Sequence, residues 1–212
     1  MKKEKRIRGL VSLCAVSAFV LWTAAVRLVD VQPIGPQGSK VGFAAFNGLI
    51  HRLTGVHMNL YMITDWLGLI PLVLVIGFGL LGLGQWIGRK SLRKVDRSLL
   101  ILGGFYLSVM AAYAVFELFV VNYRPILING VLEASYPSST TLLVMSVIPT
   151  AAIQVNSRLK SAAGRRWVTA LAAGSVVFMV GSRLLSGVHW VTDIIGGALL
   201  SVGLVMGYAS LV

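Results

Sequence analysis

Arg124, Arg183, His189 and Asp193 stand apart from the other charged residues of this 212-residue chain, because each adjoins a long apolar block instead of a basic cluster. A charge close to a membrane-length apolar segment is costly, so a functional role is its default reading. His189 and Asp193 are four residues apart and share a helix face if the last block starts near Gly187. A carboxylate on one imidazole nitrogen would then fix the tautomer and leave the other lone pair free to attack. Two guanidinium forks match phosphate oxygens and stay charged at any relevant pH. These four residues describe an anion pocket containing a nucleophile. The run Tyr136-Pro137-Ser138-Ser139-Thr140-Thr141 precedes another apolar block, where a helix N-terminus offers free backbone donors to an anion. Its plain alternative is a helix cap.

The elements that must position these groups are membrane helices. The chain is 57% hydrophobic and 12% charged, more apolar surface than one soluble core of this size can hide. Its apolar blocks are near the ~20 residues that cross roughly 30 Å of hydrocarbon. Six spans are expected, at about 9–29, 66–87, 99–121, 141–155, 167–185 and 191–211, in one membrane-embedded domain over 1–212. A cleaved signal peptide is the weaker reading of the first block, which is longer than a typical signal core. Pro33, Gly35, Pro36 and Gly38 mark 30–65 as an outer loop, with 41–53 either an interfacial amphipathic helix or an ordered cap. The fold class is therefore all-α, a polytopic six-helix bundle.

The net charge of +12 does not describe a nucleic-acid groove, since the basic residues are neither spread over a face nor interleaved with aromatics. Fourteen of the nineteen lie at the N-terminus, after the second block and after the fourth. The positive-inside bias makes those segments cytoplasmic and leaves 30–65, 122–140 and 186–190 outside. Both termini are then inside, and the four residues above share the outer side. Cys14 is alone, which excludes a disulfide framework and a cysteine metal site. His51 and His57 fall in the outer segment, where a headgroup contact competes with an ordinary surface position. Trp22, Trp66, Trp167 and Trp190 read mostly as interfacial anchors, and no cofactor is called for.

Ser182-Arg183-Leu-Leu-Ser-Gly-Val-His189-Trp-Val-Thr-Asp193 resembles the Ser-Arg-x5-His-x3-Asp signature of the type 2 phosphatidic acid phosphatase superfamily. Asn122-Tyr123-Arg124-Pro125 is similar to the end of its Lys-x6-Arg-Pro motif, and Pro137-Ser138-Ser139-Thr140 sits where Pro-Ser-Gly-His would be. The resemblance implies a metal-independent membrane phosphatase in which His189 attacks phosphorus and Asp193 orients it. Arg124, Arg183 and Ser138, with backbone donors around Ser139 and help from Ser182, would hold the phosphate oxygens. The substrate class implied is a lipid phosphate or diphosphate, with undecaprenyl diphosphate in a bacterial plasma membrane as the expected carrier. No cofactor, metal or nucleic acid is implied, and the sequence does not give the oligomeric state.

Two departures bear on chemistry. Glu117 occupies the lysine position of the first motif, which removes one positive phosphate ligand. Thr140 occupies the position of the histidine that protonates the leaving group, and a threonine hydroxyl is no general acid near neutral pH. An engineered inactivating substitution, a natural member with altered chemistry, and a lipid-phosphate binding or transport protein that has lost catalysis all fit Thr140.

Overall fold

The computed structural model describes residues 2–212, and among them the regular elements are helices. α1 spans Lys2–Leu28, α2 Ala44–Thr54, α3 Met58–Leu67, α4 Leu69–Arg89, α5 Arg97–Leu118, α6 Ser139–Arg158, α7 Ala162–Leu185 and α8 Val191–Leu211. Six segments are long and apolar enough to cross a membrane, with α3 and α4 forming one of 32 residues. At 1.5 Å per residue this segment is about 48 Å long, so it exceeds the hydrocarbon thickness of roughly 30 Å.

α6 and α8 are the inner pair, with half and 44% of their most apolar windows buried, against 6% for the α3–α4 segment. α1 packs along α8 on small residues. A Cβ added to Gly203 would meet Val16 at 2.7 Å, and Ser12 Oγ donates to the Gly203 carbonyl at 2.7 Å. Such close backbone approach supplies helix association where lipid offers no hydrophobic driving force. The chain ends meet as well, since Lys5 Nζ donates to Val212 O at 3.3 Å and Arg8 Nη1 to Ala209 O at 3.0 Å.

The expected outer loop 30–65 contains two helices. α2 carries Asn47 and His51 on one side and exposed Phe46, Leu49 and Leu53 on the other. α3 begins at Met58, eight residues before the span expected from Trp66, because Asn59, Thr64 and Asp65 dilute the apolar signal without breaking the helix. Between α5 and α6 the chain makes a small hairpin. Arg124 N donates to Glu133 O at 3.0 Å, Ser135 N donates to Asn122 O at 2.9 Å, and Asn129 and Gly130 turn it with φ of 50° and 79°. Two consecutive left-handed residues are the turn an Asn-Gly pair favours.

Candidate active site

Three polar segments converge at one end of the bundle: the hairpin after α5 with the start of α6, the end of α7, and the loop 186–190 leading into α8. His189 lies in that loop and is 3% exposed. Neither ring nitrogen has a hydrogen-bond partner. Burial pushes the imidazole down to about 4, only partly opposed by Asp193, and the fields of Arg124 and Arg183 both reach it in the same direction. The ring is therefore neutral at pH 7, with a lone pair available.

Asp193 does not share a helix face with His189, as was expected, because α8 begins at Val191 and His189 precedes it. Its Oδ2 accepts from Trp190 N at 2.9 Å, closing the first turn of α8 as an N-terminal cap, and its Oδ1 accepts from Asn122 Nδ2 at 3.1 Å. The same Oδ2 lies 3.8 Å from His189 Nδ1, an electrostatic contact longer than a hydrogen bond. Nδ1 thus faces the carboxylate and Nε2 is the nitrogen left free.

The two arginines differ. Arg124 Nε is 3.0 Å from Glu133 Oε2 without hydrogen-bond alignment, and its Nη1 is buried with no partner. Arg183 is held on every side. Its Nε donates to Thr140 Oγ1 at 3.0 Å, Nη1 to Thr64 Oγ1 at 3.3 Å, and Nη2 to Asp65 Oδ1 at 3.2 Å, while its guanidinium carbon lies 4.8 Å from the centre of the Tyr61 ring. Thr140 therefore serves as a hydrogen-bond acceptor for Arg183. Tyr61, Thr64 and Asp65 were not among the residues expected here, although an acid beside an apolar block was a signal for Asp65.

Ser138 caps α6, accepting from Thr141 N at 3.4 Å, and its own N–H donates to Asp193 O at 3.0 Å, which ties the starts of α6 and α8 together. Ser139 begins α6. With Thr140, Asp65, Tyr113, Leu69 and Met110 it lines a mostly apolar cavity of about 330 Å³ between α3–α4, α5 and α6. Ser182 is buried on α7 beside Arg183, its carbonyl accepting from Ser186 N at 2.8 Å. Glu117 is exposed near the end of α5 and lines a small recess with Tyr113, Tyr136 and Ser139. Trp190 is buried at 3%, not an interfacial anchor, and its Nε1 donates to Tyr123 O at 2.8 Å. Trp66 and Trp167 are exposed at 72% and 69%.

Residues 111–212 match the model of the PAP2 superfamily. The crystal structure described as the first transmembrane PAP2-type phosphatidylglycerolphosphate phosphatase, from Bacillus subtilis, superposes with a TM-score of 0.65 over 94% of each chain at 19% identity, which shows a shared fold. Among curated proteins nothing matches the chain. Six membrane-length helices, the family match over 111–212 and the shared fold support a membrane-embedded phosphoric ester hydrolase. The PAP2 superfamily match thus covers the C-terminal part of the chain, just under half of it, while the shared fold extends over nearly all of it.

Proposed function

We propose that the chain hydrolyses a lipid diphosphate, with undecaprenyl diphosphate or a related polyprenyl diphosphate as the best-fitting substrate. The observation that carries this is a group of buried, unpartnered polar atoms: both nitrogens of His189 and Nη1 of Arg124. An unsatisfied buried polar group costs about 1–3 kcal/mol; a phosphate oxygen accepting from Arg124 Nη1 would remove that cost there and bring phosphorus to the free lone pair of His189 Nε2. His189 Nε2 attacks the terminal phosphorus. The bond from phosphorus to the bridging oxygen breaks, and the lipid monophosphate leaves with that electron pair. Water then hydrolyses the phosphohistidine to orthophosphate and free imidazole. Arg124 stabilises charge on the transferring group, Asp193 holds Nδ1 from 3.8 Å, and Ser138 and Ser139 present the start of α6.

The diphosphate preference follows from Thr140. A diphosphate departs as a phosphate ester with a second pKa near ~6 and needs little protonation, whereas a monoester departs as a strongly basic alkoxide. The apolar cavity beside Thr140 lets a tail remain in the bilayer. With the three basic clusters cytoplasmic, the site faces outward in a plasma membrane, where an exported lipid carrier is recycled.

A lipid-phosphate binder on the same fold is the second reading. It is favoured by Glu117 at the lysine position and by the engagement of Arg183 with Thr140. Phosphate release from a panel of lipid phosphates in nanodiscs separates the two. The unsubstituted chain should turn over polyprenyl diphosphate faster than phosphatidic acid, and equal or reversed rates reject the diphosphate assignment. Thr140→His should add monoester activity that His189→Ala removes. Lipid binding without turnover in both proteins would establish the binder.

A further inference from the structure

No hydrogen bond fixes the ring of His189, since both nitrogens lack partners and Asp193 Oδ2 stands 3.8 Å away. Packing aside, the backbone of the 186–190 loop is what sets where the ring stands. That loop is fastened from outside the bundle, by the segment 44–57. His57 N donates to Ser186 O at 3.0 Å. The Nε2 of His51 lies 3.1 Å from the Gly187 carbonyl, which can only accept, so Nε2 carries the proton and donates. The His51 ring also lies 5.4 Å from that of Trp190. Asn47, 1% exposed, donates from Nδ2 to Thr192 Oγ1 at 2.9 Å and accepts from Thr192 N at 3.3 Å, so it grips the chain on the far side of His189. Between these tethers the backbones touch: a Cβ on Gly187, at φ +68°, would lie 2.1 Å from the Gly55 carbonyl oxygen.

Building on the proposed role of His189, we infer that α2 is a brace for the nucleophile, with His51 and Asn47 as positioning residues for the reaction. They fasten the loop at Gly187 and the first turn of α8 at Thr192, two residues before and three after the imidazole, and neither needs to contact substrate. A displacement of ~1 Å in a reacting group can cost about 100-fold in rate, so losing such a tether should affect turnover more than ground-state binding.

The test uses the full chain in nanodiscs, with His51→Ala, His51→Gln and Asn47→Ala. Three quantities are read: turnover of polyprenyl diphosphate, affinity for orthovanadate alone, and amide exchange over residues 186–190. His51→Ala and Asn47→Ala should lower kcat about 10- to 100-fold with KM within about twofold, weaken orthovanadate, and speed amide exchange of the loop. His51→Gln keeps a side-chain N–H donor for the Gly187 carbonyl and should recover most of all three. The brace is overturned if His51→Ala leaves loop exchange and kcat unchanged, or if His51→Gln falls as far as His51→Ala. A separate control tests the site itself. Unchanged orthovanadate affinity in His189→Ala overturns the reading of the pocket, whereas loop exchange still reports whether the tether exists.

Discussion

Guanidinium and carboxylate groups meet at both ends of this bundle, in different surroundings. At the basic end Arg89 and Arg158 converge on Asp96 at 2.9 and 3.9 Å, with side chains 43%, 36% and 41% exposed. At the opposite end the Arg124 and Arg183 side chains are only 10% and 3% exposed, while their acidic partners Glu133 and Asp65 stand at the rim. Exposed pairs contribute about 0–1 kcal/mol and are screened by salt, so the pairs at the basic end add little to stability. A buried guanidinium has lost its water and needs every donor occupied. Arg183 meets that need within the protein and Arg124 does not, which marks Arg124 as the arginine that awaits a ligand.

The contrast breaks most visibly through substitution of arginines. Arg124→Ala should reduce kcat/KM by about 10²–10³-fold, the cost of one charge-stabilising donor in a closed site, while Arg89→Ala leaves it within about twofold. Equal losses from the two would erase the distinction. A smaller effect concerns acid. The nucleophile must be neutral, and burial holds the His189 imidazole at about 4, below the ordinary 6.5. The rate should therefore stay level as pH drops through 6.5 and fall only on approaching about 4. An acid limb centred on 6.5 would mean that the ring is solvated. The least change is expected at Asp96. Hydrogen bonds from Gln85 and then Arg89 depress its pKa below 3.8, so its stabilising contribution is complete above 3.8 and is lost as pH falls through the lower folded value. Asp96→Asn should flatten that acid dependence in a thermal-unfolding series and leave turnover unchanged.

Much of this arrangement could be read from residue order. Apolar block length gave the spans because lipid demands a fixed length, and the spacing from Ser182 to Asp193 located the turn between α7 and α8. What the sequence did not disclose depends on contacts between distant elements. The cradle of Tyr61, Thr64 and Asp65 forms around Arg183 only because α3 packs on α7, and no local pattern encodes that meeting. His51 looked like a surface histidine because its partner, the Gly187 carbonyl, is a backbone atom with no residue signature. Asp193 showed its capping role only once the start of α8 was known to be Val191. Asn129-Gly130, by contrast, was a readable hairpin signal that the surrounding apolar spans overshadowed.

The contact between Gly55 and Gly187 ties together two places 132 positions apart along the chain. Each has a left-handed φ, +67° and +68°, and there is no room for a methyl group on the second against the carbonyl of the first. The turn after α2 and the histidine turn therefore form a single mechanical joint with no slack. Redesign of either half has to carry the other with it, whatever lipid the pocket is asked to accept.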